Sequence, residues 1–115
     1  MASRPNELPA FKAEFFRALA HPIRIRILEV LVRGERSVQE IQETLDLEQP
    51  VVSQQLAVLR AKNIVSARKE GTTVRYAVRD RLLTDLLDVA RQIFDKHLVG
   101  TQNLLRELRQ ERRRR

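Results

Sequence analysis

The stretch "QPVVSQQLAVLRAKNIV", residues 49–65, combines an apolar helical stripe with a row of short polar side chains. Val52, Leu56 and Leu59 recur at the three- and four-residue spacing that places side chains on one face of a helix. Pro50 suits the first turn, because its ring fixes a helical φ and its missing N–H is not needed there. The polar side chains lie near the start of this predicted helix, on its exposed face.

A short helix is predicted just before this one. Ser37-Val-Gln-Glu40 has the pattern of a capping box, in which the serine and glutamate side chains satisfy backbone N–H groups at a helix start. The tight connection Asp46-Leu47-Glu48 then joins the short helix, residues 37–45, to the helix that begins near Pro50. Two helices joined in this way form a helix-turn-helix, whose second helix enters the major groove of DNA.

The polar side chains at the start of the second helix are of types that read base edges. A glutamine amide can donate and accept at once and so pair with adenine, a serine hydroxyl pairs with several bases, and valine can contact a thymine methyl. An ordinary solvated helix face is the alternative interpretation. Gln54 is the strongest candidate, and Gln55 lies nearer the flank. The candidate base-reading residues are Gln49, Val51, Ser53 and Gln54.

After Asn63 the apolar spacing changes from that of a helix to that of a strand. Residues 64–68 and 73–78 are β-prone, and the connection 69–72 contains a glycine, so a two-stranded hairpin is predicted. A basic hairpin directly after a recognition helix is a wing, which contacts phosphates or the neighbouring minor groove. A merely solvated hairpin is the alternative. The candidate wing contacts are Arg68, Lys69, Thr72, Thr73 and Arg75.

Amphipathic helices flank this unit on both sides. One is predicted over residues 7–20, followed by His21-Pro22, where His21 is expected to act as a local cap. The other begins after Asp80, and its apolar stripe is wider than one thin domain can cover, so part of it is expected to pack against a second copy of the chain. The candidate dimer-interface residues are Phe11, Phe15, Leu83, Leu86, Leu87, Ala90, Ile93 and Phe94.

The length of 115 residues fits one mainly α domain, a winged helix-turn-helix of five to six helices plus a two-stranded wing. We expect residues 1–6 to be frayed, residues 7–111 to form the domain with its dimerisation helices, and residues 112–115 to be an irregular basic tail. No apolar run is long enough to span a membrane and no signal-peptide pattern opens the chain. We therefore expect a cytoplasmic, nucleoid-associated bacterial protein without a membrane partner.

The net charge of +7 is concentrated in two places. Residues 66–79 hold four basic side chains against one glutamate, and residues 103–115 hold six arginines against two glutamates. Such local basic patches favour a polyanionic partner, most simply nucleic acid. The chain has no cysteine, no glycine-rich phosphate loop and no nucleophile matched to a base, so neither an enzyme nor a bound cofactor is expected.

Three segments together resemble the ArsR/SmtB family of winged-helix bacterial repressors. They are "ALAHPIRIRILEVL", "SVQEIQETLDLEQPVVSQQLAVLRAKNIV" and "ARKEGTTVRYAV", and the resemblance spans about residues 11–100. It implies a homodimer that binds an inverted repeat in a promoter and that, in many members, is released by a metal or another inducer. It also places the four candidate base-reading residues at the family's reading positions, and residues 68–75 in its wing.

The sequence departs from the metal-sensing members of that family. Ser37 and Gln39 stand where thiol-type sensors have a Cys-x-Cys pair. Asp95 and His97 match the start of a zinc site on the last helix, but no later histidine follows, and zinc normally takes three or four protein ligands. We therefore expect no metal site, and we expect any inducer to be something other than a thiophilic metal.

The favoured interpretation is a sequence-specific regulator of transcription that binds double-stranded DNA, as a homodimeric repressor at an inverted-repeat operator. Two alternatives stay open. One is a nucleoid-type DNA binder with little sequence preference, which a small ratio of specific to random affinity would indicate. The other is a helical dimerisation module whose basic surfaces bind an acidic protein, in which case excess DNA would not compete.

Overall fold

The computed structural model describes residues 7–113, and the expected frayed segment 1–6 lies outside that range. The chain divides into two compact units, the first ending at Arg81 and the second beginning at Leu82. The expected single domain over residues 7–111 stays a prediction. In chain order the elements are α1 (Glu7–Leu19), α2 (Pro22–Leu31), β1 (Arg36–Ser37), α3 (Val38–Leu45), α4 (Gln49–Ala61), β2 (Val65–Glu70), β3 (Thr73–Val78) and α5 (Leu82–Arg113).

Local signals in the sequence fix the starts of α2 and α3. The His21 Nδ1 atom accepts a hydrogen bond of 3.1 Å from the Ile23 backbone N–H, one residue after Pro22 opens α2. At α3 the Ser37 hydroxyl accepts from the Glu40 N–H at 3.2 Å, while the Glu40 carboxylate accepts from the Ser37 N–H at 3.0 Å. The predicted cap at His21 and the predicted capping box are both confirmed.

The core of the first unit is formed where α2, α3 and α4 contact one another. Burying an aliphatic side chain of leucine size contributes roughly 1.5–3 kcal/mol, so α4 is held chiefly by its apolar back. Arg24 adds a polar link, donating from Nε to the Gln55 Oε1 atom at 2.8 Å and from Nη1 to the Ala18 carbonyl at 3.1 Å. The residues with no exposed surface are Ile27, Leu28, Ile41, Val52, Leu56 and Leu59.

The turn between α3 and α4 depends on one residue in an unusual backbone conformation. Asp46, at the end of α3, has φ 54° and ψ 54°, in the left-handed region that short polar side chains tolerate better than most. The backbone N–H groups of Asp46 and Leu47 both donate to the Gln42 carbonyl, which closes the end of the helix. Three residues therefore suffice to redirect the chain into α4, as the predicted helix-turn-helix requires.

The wing is larger than the predicted two-stranded hairpin. β2 runs to Glu70, two residues beyond its predicted end, because a turn of only Gly71 and Thr72 reverses the chain. Gly71 has φ 62° and Thr72 has no positive φ, which is the pattern of a type II′ turn. The two predicted strands are confirmed, and the structure adds a third: β1 pairs antiparallel with the other edge of β3, giving the strand order β1-β3-β2. Two residues are too few for a sequence pattern to reveal a strand.

The helix α5 is continuous over 32 residues. It passes through Gly100 without ending and includes Arg112 and Arg113, so the expected irregular tail is wrong at these two positions; residues 114–115 lie outside the described range. The part of the chain described here contains five helices, which agrees with the predicted five to six. None of its helices is both long and apolar enough to cross a lipid bilayer.

Candidate nucleic-acid interface

The four candidate base-reading residues all lie in the first two turns of α4. Gln49 and Gln54 are exposed, and Val51 and Ser53 are half-buried. The Gln49 amide donates to the Ser53 hydroxyl at 2.6 Å, one helical turn on, so these two side chains are ordered as a pair. The Gln54 amide has no hydrogen-bond partner within residues 7–113, and both its donor and its acceptor remain available.

Gln55 is excluded from this reading face by its own contact. The side-chain Oε1 atom of Gln55 accepts the hydrogen bond from Arg24 of α2, which links the flank of α4 to the neighbouring helix. Gln55 is therefore a weaker candidate for base reading than Gln54, because its amide oxygen is used in a contact between α4 and α2. Gln54, one residue earlier, is turned about 100° away from it around the helix axis.

The tip of the wing presents the small and flexible polar side chains of the predicted contact set. Lys69, Thr72 and Thr73 are exposed, at the end of β2, in the two-residue turn and at the start of β3. A Cβ atom added at Gly71 would meet no atom of another described residue within 4 Å, so the tip is open at this position. Ammonium and hydroxyl groups on such an open tip can contact phosphates without displacing other protein groups.

The two arginines of the predicted wing set have carboxylate partners of their own. Arg75, with only 26% of its side chain exposed, places Nε 3.0 Å from Glu35 and Nη1 3.1 Å from Glu40, and its Nη2 donates to the Glu35 carbonyl at 3.2 Å. Arg68 also contacts Glu35 and lies 3.1 Å from Glu70. Three carboxylates thus surround two guanidinium groups. We call these five residues the wing-base network.

Electrostatics keep the wing-base network ionised. The hydrogen bond from Arg68, with its charge and that of Arg75, holds the pKa of the Glu35 carboxyl below its ordinary 4.5. Hydrogen bonds from the Ser37 backbone and hydroxyl, together with Arg75, do the same for the pKa of Glu40. The contact with Glu35 in turn raises the pKa of Arg68. The neighbouring carboxylates therefore offset most of the positive charge of both arginines.

A groove beside the reading face contains two residues that the sequence interpretation missed. It has a volume of about 460 Å³ and is lined by Ser53, Ala57, Arg60 and Ala61 of α4 and by Tyr76 of β3. The spacing of Ser53, Ala57 and Arg60 along α4 could have shown that these residues share a face. Nothing local could have shown that Tyr76 stands opposite them, because the sheet brings it there.

The candidate dimer-interface residues are divided by their exposure. Leu83 is only 6% exposed in the single chain, which leaves little of its surface for a partner. Leu86, Leu87 and Ala90 are half-buried. The most exposed are Phe11 of α1, at 74%, and Ile93 and Phe94 of α5, at 60% and 63%; Phe15 is exposed as well and meets Phe16 edge to face.

A short capped helix, a three-residue turn, a helix with an exposed polar start and a β-hairpin directly after it define a winged helix-turn-helix regulator. A family model described as "Bacterial regulatory protein, arsR family" matches residues 21–67. The chain belongs to this ArsR family. Its members are DNA-binding regulators of transcription and not enzymes, in agreement with the sequence-based prediction.

Similar proteins agree with this membership over most of the chain. The HTH-type transcriptional regulator Rv0081 of Mycobacterium tuberculosis is 44% identical over 110 residues, 95% of each chain. Its crystal structure has a TM-score of 0.76 and covers 85% of this chain and 97% of its own. A probable mercury resistance operon repressor of Streptomyces lividans is 42% identical over 90 residues, 78% of this chain and 72% of its own.

A solution structure from Mycobacterium bovis is similar in fold. It is described as a homodimeric winged helix-turn-helix DNA-binding domain and as a possible ArsR-family transcriptional regulator. Its TM-score is 0.76 at 30% identity, with 85% of this chain and 91% of that chain covered.

Proposed function

We propose that this chain is a homodimeric repressor that binds an inverted-repeat operator in a promoter, in the bacterial cytoplasm. The observation that carries the proposal is the exposed polar start of α4, with an unpartnered Gln54 amide beside a wing whose tip is open. The relative from Streptomyces lividans is named a repressor, which supports this direction of control. A repressor of this kind acts by covering promoter DNA.

In this proposal the reading and gripping roles belong to different residues. Gln49, Val51, Ser53 and Gln54 read bases in the major groove, where a glutamine amide discriminates adenine by about 1–3 kcal/mol. Lys69 and the hydroxyls of the wing tip, on Thr72 and Thr73, contact phosphates or the neighbouring minor groove. Arg68 and Arg75 would have to leave their carboxylate partners to join them.

Dimerisation is proposed to occur through the exposed apolar side chains of α1 and α5. A two-fold dimer makes binding of the second half-site effectively intramolecular, which raises the affinity for a paired site by about 10²–10⁴ without any new kind of contact. The half-sites should then lie about one helical turn of DNA apart, or a multiple of it, as an inverted repeat. The homodimeric relative from Mycobacterium bovis supports this assembly.

The first test separates base reading from general affinity. Replacing Gln54 by alanine is expected to weaken binding to the selected operator by about 1–3 kcal/mol and to relax preference at one base pair. Binding to random duplex DNA should be unchanged, because no phosphate contact is lost. Sites selected from genomic DNA, followed by titration of operator and random duplexes, give both quantities.

The matched control for Gln54→Ala is Gln110→Ala, the same change on the exposed surface of α5. It should leave operator and random affinities as they are. Equal weakening of both DNAs by Gln54→Ala would contradict the assignment of α4 as the recognition helix. A wild-type protein that binds operator and random DNA almost equally would instead identify the low-specificity alternative.

The second test concerns the signal that releases the protein from DNA. Soft metals prefer thiolate ligands, and this chain has no cysteine. Of its two histidines, His21 already uses Nδ1 to cap α2, and the described residues contain no group of three His, Cys, Asp or Glu side chains suited to a metal ion. We expect zinc, cadmium and arsenite to leave the operator complex intact at concentrations that release metal-sensing relatives. Stoichiometric release that His97→Ala abolishes would contradict this expectation.

A further inference from the structure

The groove between α4 and β3 is lined by small residues along the helix. Two of its five lining residues, Ala57 and Ala61, are alanines one helical turn apart, so no long side chain fills its floor. Its three polar lining residues are Ser53, Arg60 and Tyr76, and of these Ser53 already accepts a hydrogen bond from Gln49. A space with small residues along the helix and hydrogen-bond donors on Arg60 and Tyr76 suits a phosphodiester oxygen better than the edge of a base.

Both donors of the groove are uncommitted. Arg60 is exposed, and within residues 7–113 its guanidinium has no ion pair and no hydrogen bond. Tyr76 is half-buried and its hydroxyl likewise has no partner in that range, although a tyrosine hydroxyl at such a position usually finds one. The five guanidinium N–H donors of Arg60 and the O–H donor of Tyr76 are therefore all available for a ligand.

The position of the groove relates it to the reading face. Ser53 both lines the groove and accepts the hydrogen bond from Gln49, so the groove continues directly from the base-reading residues. Arg60 lies seven residues, about two turns, further along the same face of α4. A strand of DNA whose bases are read at the start of α4 would carry its own phosphates past this groove.

The two arginines of the wing-base network differ from Arg60 because they have carboxylate partners. Arg75 has three carboxylates within 4 Å, and Arg68 has two, so neither brings a whole positive charge to a phosphate. Withdrawing either from Glu35 would leave that carboxylate facing a polyanion. Arg60 has no such penalty, because no carboxylate among the described residues lies within ion-pair distance of it.

We propose that the groove between α4 and β3 is a phosphate-binding site for the DNA backbone, with the Arg60 guanidinium and the Tyr76 hydroxyl as its donors. The guanidinium supplies charge and a planar fork that matches phosphate oxygens, and the hydroxyl fixes the phosphate from the opposite wall. The inference rests on the proposed DNA-binding function. It adds two phosphate contacts to the proposed interface. Arg60 takes the role of phosphate contact that the sequence pattern suggested for Arg75.

The test is the salt dependence of binding to a random-sequence duplex and to the selected operator. Arg60→Ala should weaken both by at least about tenfold, since a charge-assisted hydrogen bond is lost. It should also flatten the plot of log affinity against log salt concentration by about 0.9 for each lost phosphate contact, or about two for a dimer. Tyr76→Phe should weaken both DNAs and leave the slope unchanged, because it removes a hydroxyl and no charge.

Two comparison variants make the result specific to the groove. Arg33→Ala removes the same charge from an exposed arginine outside the groove, and Arg75→Ala removes the centre of the wing-base network. Both should retain the wild-type slope. Circular dichroism of each variant verifies that it is folded.

The inference is overturned if Arg60→Ala keeps wild-type affinity and slope in a protein that binds DNA, or if Arg33→Ala changes the slope as much as Arg60→Ala does. If Arg75→Ala flattens the salt dependence and Arg60→Ala does not, the phosphate contact belongs to the wing. A wild-type chain that binds no duplex would overturn the proposed function and the groove together, so the two failures are distinguishable.

Discussion

Replacing Ile93 by aspartate is expected to give a folded monomer that binds the paired operator at least about a hundredfold more weakly. Ile93 is 60% exposed in the single chain, so a charge there disturbs little of the chain's own packing. In a dimer through α5 the same carboxylate would be buried without a partner, which strongly disfavours association. Loss of the dimer removes the effective concentration that joins the two half-sites, a factor of about 10²–10⁴.

Light scattering gives the oligomeric state of the Ile93 variant, circular dichroism its helix content, and titration its affinity for paired and single half-sites. Gln102→Asp is the matched control: it places the same charge nine residues further along α5, about half a turn around the helix. The control should remain dimeric with full affinity. A dimeric Ile93→Asp protein with wild-type operator affinity would contradict this interface and direct attention to Phe11 and Phe15 on α1.

Replacing Leu56 by alanine is expected to lower the free energy of unfolding by about 2–5 kcal/mol. Leu56 has no exposed surface, and it lies on the back of the helix whose front carries the reading residues. A cavity there removes the packing that holds α4 against α2 and α3. Because small domains are stable by only about 5–15 kcal/mol, much of that margin would be lost, and specific DNA binding with it near the melting temperature.

Urea denaturation at fixed protein concentration measures the effect at Leu56, with Val74→Ala as the control at an exposed apolar residue outside α1 and α5. The control should change the free energy of unfolding by far less. A Leu56→Ala protein destabilised by under about 1 kcal/mol would contradict the position of α4 at the centre of the core.

Features with local causes were predictable from the sequence. The starts of α2 and α3 follow from His21-Pro22 and from Ser37 with Glu40, each acting within three residues. The buried stripe of α4 follows from periodicity alone, because Val52, Leu56 and Leu59 share one face of the helix. The exposed position of Gln54 is a consequence of that stripe.

Features that join distant segments were not predictable. β1 exists only because Arg36 and Ser37 pair with β3. The Glu35 and Glu40 carboxylates that contact Arg75 lie 40 and 35 residues before it in the chain. A basic pattern records that a residue is charged, and it does not record which distant carboxylate neutralises it. Periodicity has a similar limit at Leu83, because an apolar stripe does not show whether the chain itself or a partner covers a given side chain.

Hydrogen bonds join the two strands of the hairpin at the end opposite the turn. The Arg79 backbone N–H donates to the Ile64 carbonyl at 3.0 Å, and its guanidinium donates to the Asn63 side chain at 3.1 Å. Residues added or removed in pairs, one from each strand next to the tip, therefore change how far the tip extends and keep the register that this closure defines. Loops of this kind accept length variation more readily than the segments they join. Evolution can thus adjust the reach of the hairpin without altering the helix that reads the sequence.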